Sequence, residues 1–162
     1  MLLFRLHIIS ITLLLLSACG QTTRYEVRPV TGHNHPDHES TSDTPLDIAL
    51  QQVGKPYRYG GSNPTGFDCS GLVYYSYQQS GTTIPRTSRQ QLSVSRRIPV
   101  SRMRPGDLVF FSIPVTRVLH VGIYIGGNRF AHAPSSGKRV GIAYLDNPYW
   151  RKHFIRAGRI SH

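Results

Sequence analysis

The sequence predicts an α+β domain in which helices come first and strands follow. Three observations support that order. Between Pro45 and Ser80 apolar residues recur at helical spacing. Beyond Asp107 they fall into short β-rich runs separated by glycine or proline. The 162 residues, once a leader is subtracted, leave room for one core, and neither an internal repeat nor a second linker divides them.

Ahead of the domain, Arg5 precedes an apolar run from Leu6 to Leu16, which has the length of a signal-peptide core and is short for a bilayer span. It ends in Leu16-Ser17-Ala18-Cys19-Gly20, where small residues precede a cysteine in a pattern that resembles a bacterial lipobox. Residues 1–18 are therefore expected to be a lipoprotein signal peptide, with Cys19 the lipidated first residue of the mature chain; the alternative is an ordinary secretory signal with an incidental Cys19. Gly20, where an aspartate would signal inner-membrane retention, resembles sorting to the periplasmic face of the outer membrane. Residues 19–44 are polar and lack apolar periodicity, as a flexible tether should. Within that tether His33, His35, Asp37 and His38 are metal-binding residue types, but with no fold to fix their geometry no metal site is expected.

The folded part is expected over 45–162. Thr44 and Pro45 supply an N-cap and a first-turn proline, and Leu46, Ala49, Leu50 and Val53 keep helical spacing until Gly54. Residues 60–66 read as a turn-rich loop, after which Leu72, Val73, Tyr75 and Tyr77 continue without a breaker to Ser80-Gly81. Cys69 thus falls at a helix start. Thr87, with Gln90 three residues on, resembles a capping box for a short helix that ends before Ile98-Pro99. Strands are predicted over 107–111, 119–125, 129–133, 139–143 and about 154–160, with Asp107 closing the turn that precedes the first of them.

The formal charge is +11, of which Arg5 in the leader supplies one, and the cations are scattered rather than massed. A field of this sign favours acidic partners, and export disfavours nucleic acid among them. A solvated basic surface with no partner explains the charge equally well. Once Cys19 is acylated, Cys69 is the one thiol left, and an unpaired thiol that persists in an oxidising compartment requires a reason.

Catalysis supplies one. A thiol attacks a carbonyl as thiolate, and an ordinary cysteine near pKa 8.5 is mostly protonated at neutral pH. A helix N-terminus and a nearby imidazole both favour ionisation. Gly66-Phe67-Asp68-Cys69-Ser70-Gly71 surrounds Cys69 with small and polar residues, so a substrate backbone can approach and the Cys69 N–H can serve an oxyanion hole. His120 opens the apolar strand Val121 to Ile125, and His132 lies in the next strand beyond the turn Gly126-Gly127-Asn128. Paired as a hairpin, the two strands can set both imidazoles on one face, with His132 orienting His120. A buried structural role remains the alternative for each histidine.

Gly54-Lys55-Pro56-Tyr57-Arg58-Tyr59-Gly60-Gly61, Gly66 to Val73, Arg104-Pro105-Gly106-Asp107-Leu108-Val109-Phe110-Phe111, His120 to Tyr124 and Phe130-Ala131-His132-Ala133 occur in this order without large insertions, and Asn147-Pro148-Tyr149-Trp150 follows them. Together they resemble the NlpC-type family of papain-like cell-wall cysteine peptidases, in particular its small lipoprotein members, from about Pro45 to the C-terminus. The resemblance implies a papain-like fold, with N-terminal helices packed on a mostly antiparallel sheet. It implies Cys69 as nucleophile, His120 as general base and then acid, and His132 as the orienting third residue. Tyr57 is implied beside the thiol, stabilising the oxyanion or holding substrate, while Asp68 and Ser70 match positions that contact the stem peptide. Packing for Tyr57, a helix cap for Asp68 and mere smallness for Ser70 are the competing readings.

The implied activity is a peptidoglycan endopeptidase that cuts a bond leading to diaminopimelate, in a stem peptide or a crosslink, during wall remodelling. The expected partners are stem peptides and the membrane holding the lipid anchor; no metal or organic cofactor is called for. A wall-binding module without activity and an acyltransferase or amidase using the same nucleophile are the competing functions, and the intact Cys69, His120 and His132 count against the first.

Overall fold

The computed structural model describes residues 43–113, 118–135 and 137–161. The expected leader 1–18, Cys19, the expected tether as far as residue 42 and the cluster of His33, His35, Asp37 and His38 all lie outside the described residues. Among the described residues no helix is long and apolar enough to cross a membrane.

In chain order the elements are α1 (Pro45–Gln51), β1 (Ser62–Asn63), β2 (Gly66–Phe67), α2 (Cys69–Gln79), α3 (Ser88–Val94), β3 (Arg96–Ile98), β4 (Leu108–Ile113), β5 (Val118–Gly126), β6 (Arg129–His132), β7 (Gly141–Tyr144), α4 (Pro148–His153) and β8 (Phe154–Arg159). Three helices precede the main sheet's long strands, and that sheet is antiparallel throughout in the order β3-β8-β4-β5-β6-β7. The architecture is α+β.

Local chemistry sets the helix starts. Thr44 and Asp47 form a reciprocal capping box on α1, the Thr44 hydroxyl donating to the Asp47 carboxylate at 2.6 Å and accepting from the Asp47 N–H at 3.3 Å. Thr87 caps α3 through its side chain alone, the hydroxyl accepting from the Gln90 N–H at 3.4 Å and donating to Gln90 Oε1 at 2.7 Å, without the return bond of a full capping box. The α1 helix closes at Gln51 rather than Val53, because residues 52–54 turn out of it toward Gly54 at φ +89°.

Three features depart from the sequence expectation. The loop over residues 60–66 contains a two-residue ladder, β1 against β2. Arg96–Ile98 forms a strand, too short to display a period, that exists by pairing with Arg159–Ala157 on β8. Residues 148–153 form a helix, with Asn147 accepting from the Tyr149 N–H as N-cap and Pro148 in the first turn.

Both faces of the sheet are covered, which is why β4 is apolar without alternation. Leu108 and Phe110, with Val121 and Ile123 of β5, meet Leu72, Val73 and Tyr77 of α2. Val109 and Phe111 face the other way, onto Phe130, Trp150 and Phe154. The sheet thus carries α2 on one side and the short α4 on the other, and the site forms where the start of α2 reaches β5.

Candidate active site

Cys69 is the first residue of α2 and Asp68 is its N-cap. The Asp68 carboxylate accepts from the Gly71 N–H at 2.6 Å and, through its second oxygen, from the Gly60 N–H at 3.0 Å. These contacts pull the glycine loop against the helix start. A side chain at Gly71 would collide with the Gly61 carbonyl, and one at Gly61 with the backbone of Gly66, so both positions require glycine for close approach.

The thiol is partly buried and free. Register explains what its sulfur meets. Ile123 of β5 pairs with Ala131 of β6, which would set Ala133 opposite Val121, but β6 ends at His132. The Val121 N–H instead donates to the Cys69 sulfur. Burial pushes the thiol pKa up; the Val121 N–H opposes that, the Asp68 carboxylate adds to it, and the N–H groups of Ser70 and Cys69 itself pull down again. At rest the protonated thiol is the favoured form.

Val121 is the residue after His120, so the same strand delivers the imidazole. The β5–β6 hairpin turns through Gly126, Gly127 and Asn128, all at positive φ, with a register shift between Tyr124 and Gly126. Its parity sets His120 and His132 on one face, and His120 Nε2 lies 2.9 Å from His132 Nδ1. Both side chains are buried, each 5 % exposed. Burial lowers the His120 pKa to about 4, and that of His132 to about 3 with further lowering from His120 and Lys138. At neutral pH both rings are therefore neutral. One proton lies in their shared hydrogen bond, and with His120 Nε2 engaged there, His120 Nδ1 stays outside it.

Trp150 of α4 fixes this pair from the far side. Its ring stacks on His120, with centroids 5.3 Å apart and planes at 28°, and meets His132 edge-on at 4.9 Å. Phe111 supports the tryptophan edge-on at 4.8 Å. The indole covers both imidazoles and shields their hydrogen bond.

The remaining predicted residues divide into two groups. Tyr57 belongs to the site: its phenol is raised by burial first, then by the proximity of Cys69, Asp68 and Tyr59, and its N–H donates to Lys138 O at 2.8 Å. Asp68 and Ser70 join a polar network beside the thiol. Ser70 is buried, its hydroxyl donating to Asp68 at 3.2 Å and accepting from Arg86 at 3.0 Å. Arg86 also clasps the Asp68 carboxylate with both terminal nitrogens, at 2.8 and 3.0 Å. Asp107 lies elsewhere, buried and paired with Arg159 at 2.6 Å, where it also accepts the Arg104 N–H of the turn before β4. Among the described residues no three His, Cys, Asp or Glu side chains converge as a metal site requires.

Sequence reasoning did not single out Arg86 or Gln91, whose buried amide donates to the carbonyls of Ser70 and Pro85, and it offered Trp150 within the Asn147–Trp150 run without a role. The Asn147-Pro148 pair was a legible helix-start signal for α4, equivalent to Thr44-Pro45. Nothing local marks Arg86, which meets Asp68 across 18 residues.

Comparison with known proteins places this geometry. The NlpC/P60 family profile matches residues 54–159, which include every residue of the site. Murein DD-endopeptidase MepH of Escherichia coli is 43% identical over 120 residues, covering 71% of this chain and 44% of the relative. The bifunctional muramidase/DL-endopeptidase CwlT of Bacillus subtilis is 42% identical over 122 residues, covering 74% of this chain and 36% of its own length. The chain thus spans less than half the length of these relatives. Among solved structures, an NLP/P60 family protein from Staphylococcus aureus, described as similar to lipoprotein, superposes with a TM-score of 0.67 at 39% identity, over 76% of this chain and 42% of that one. The NlpC/p60 domain of the peptidoglycan hydrolase SagA does so at 0.62 and 34% identity, over 72% and 97%. With its folded segment matched almost end to end, the chain belongs to the NlpC/P60 family.

Proposed function

We propose that this protein is a peptidoglycan endopeptidase that hydrolyses peptide bonds leading to diaminopimelate through Cys69, His120 and His132. The observation that carries the reading is the meeting of a helix-start thiol with the strand that bears a paired, buried imidazole. The names of the relatives, murein DD-endopeptidase and DL-endopeptidase, support the substrate class.

The chemistry follows from the neutral resting pair. His120 Nδ1 takes the Cys69 proton as the sulfur attacks the carbonyl carbon, and the His120 Nε2–H, donating to His132 Nδ1, stabilises the imidazolium so formed. The Cys69 N–H and the Tyr57 hydroxyl are the candidate donors to the oxyanion. Collapse breaks the C–N bond, with the imidazolium proton passing to the leaving amine and a thioester left on Cys69. Water, deprotonated by His120, then attacks the thioester, releasing the acid and restoring the thiol. The scissile bond follows either D-glutamate in a stem or D-alanine in a crosslink, and the relatives carry names of both kinds.

Attachment belongs to the same proposal. Cys19, acylated after removal of residues 1–18, anchors the domain to the periplasmic face of the outer membrane, with residues 19–44 giving it reach into the wall. The test is mass spectrometry of muropeptides released from sacculi, with synthetic stem and crosslinked peptides run alongside. Cleavage of one or both substrates by the wild type and by no Cys69→Ala preparation is expected. An unchanged profile with folded wild-type protein would refute the activity, and a mature chain without acyl groups on Cys19 would refute the anchor.

A further inference from the structure

We propose that Arg86 is a positioning residue for the nucleophile: its guanidinium holds the Asp68 carboxylate as a closed ion pair at the start of α2, so that the neighbouring Cys69 can ionise beside a neutral pair rather than beside a bare negative charge. The inference rests on Cys69 being the nucleophile and adds what keeps it reactive.

The geometry is specific. Nη2 meets one carboxylate oxygen at 2.8 Å and Nη1 the other at 3.0 Å, a fork-on-fork pairing available to arginine and not to lysine. Nη1 also donates to the Ser70 hydroxyl at 3.0 Å, and Nη2 to the Gly61 carbonyl at 3.1 Å. The guanidinium therefore ties together the glycine loop, the cap and the second residue of α2, one position on each side of the thiol. The pair is largely withdrawn from water, the Asp68 side chain being 15% exposed and that of Arg86 32%. Its charges are screened less than those of a surface bridge. Behind it the buried Gln91 amide bridges the carbonyls of Pro85 and Ser70, fixing the segment that delivers Arg86 to the helix that carries Cys69.

The remaining groups around the thiol do not offset the Asp68 charge. Tyr57, on the segment before β1, is an uncharged phenol at neutral pH, held further that way by burial. His120 from β5 is neutral at rest, as is His132 behind it on β6. Lys138 lies on the His132 side. Asp68 itself disfavours the thiolate, and the guanidinium set against both of its carboxylate oxygens is the cation placed to reduce that penalty.

The experiment reads the thiol directly, as the pH dependence of iodoacetamide alkylation of Cys69 in the full chain carrying Cys19→Ser, with thermal unfolding as the check on folding. Arg86→Gln should raise the apparent thiol pKa by about one unit, slowing alkylation at pH 7 about ten-fold, and Arg86→Lys should raise it by less than half as much. The double variant Asp68→Asn/Arg86→Gln should return to within about 0.3 unit of the parent, because asparagine still caps α2 and no charge is left uncompensated. Asp68→Asn alone, which leaves the guanidinium unopposed, should bring the thiol below the double variant; that difference isolates the guanidinium charge and decides the matter if Arg86→Gln does not fold, an equal thiol in the two overturning the proposal. A purely architectural Arg86 would leave the double variant at least as impaired as the single one, and that result would overturn the proposal, as would an unchanged thiol in folded Arg86→Gln. Loss of the endopeptidase reading would show instead as absent hydrolysis by the parent, with the thiol measurements still readable.

Discussion

A buried imidazole that serves as a base must be neutral at the working pH, and His120 meets that condition through burial alone, its pKa lowered to about 4. The sign sets the acid limb of the rate profile. Because the base is deprotonated everywhere above its lowered pKa, kcat/KM on a stem peptide should hold on the acid side down to about pH 5 rather than failing near the ordinary histidine value of about 6.5. In the proposed mechanism His132 only accepts the His120 Nε2–H. His132→Asn, which keeps an acceptor, should therefore retain about ten-fold more activity than His132→Leu, itself down about 100-fold, with KM little changed in both. The placement of Cys69 at a helix start and of His120 on a strand was legible in the sequence because their flanks are unusual: glycine and polar residues for one, a glycine-bordered apolar run for the other. Asp68 and Ser70 could be placed beside the thiol but not oriented, since their partner Arg86 arrives through tertiary structure.

At the scale of elements the site is built from one helix start and one hairpin, with α4 closing its back. Helix α4 is only Pro148–His153 and buries no residue completely, so its place depends on Trp150 packing against Phe111 and the two imidazoles. Trp150→Leu should lower kcat several-fold and move the acid limb upward toward the ordinary histidine value, because water reaches His120 once the indole is gone; stopped assays across pH 4 to 7 would read both changes. At the other end of the chain, Thr44→Ala removes half of the α1 capping box, and chemical denaturation should report a loss of about 1 kcal/mol with activity intact. Capping signals were readable for α1 and α3 because a cap is local chemistry. Strand β3 was not, since three residues carry no period and Arg96–Ile98 is a strand only by virtue of β8. The β1–β2 ladder escaped for the same reason.

For the whole molecule, the two neutral histidines couple the site to stability. Their folded pKa values lie below the unfolded ones, so from about pH 6.5 down to about 4 for His120 and about 3 for His132 the unfolded chain binds protons that the native chain refuses. Stability is full above that window and falls as pH drops through it. The melting temperature should accordingly decline by roughly 5 °C or more between pH 7.5 and 4.5, and by less in His132→Asn. The basic balance of +11 is a separate global property, and retention of the domain on carboxylate-rich sacculi should weaken as salt is raised. The α+β order was legible because helical and strand periods occupy separate halves of the chain, whereas coverage of both sheet faces was hidden in the uninterrupted apolar run of β4. The proposed reaction has Cys69 attack a wall peptide and carry its acyl group. Acid quenching of turnover on a defined stem peptide, followed by peptide mapping with mass spectrometry, tests it most directly. An acyl adduct confined to the Cys69 peptide is expected in the wild type and none in Cys69→Ala or His120→Ala; product formation by Cys69→Ala, or an adduct on another residue, would refute the mechanism.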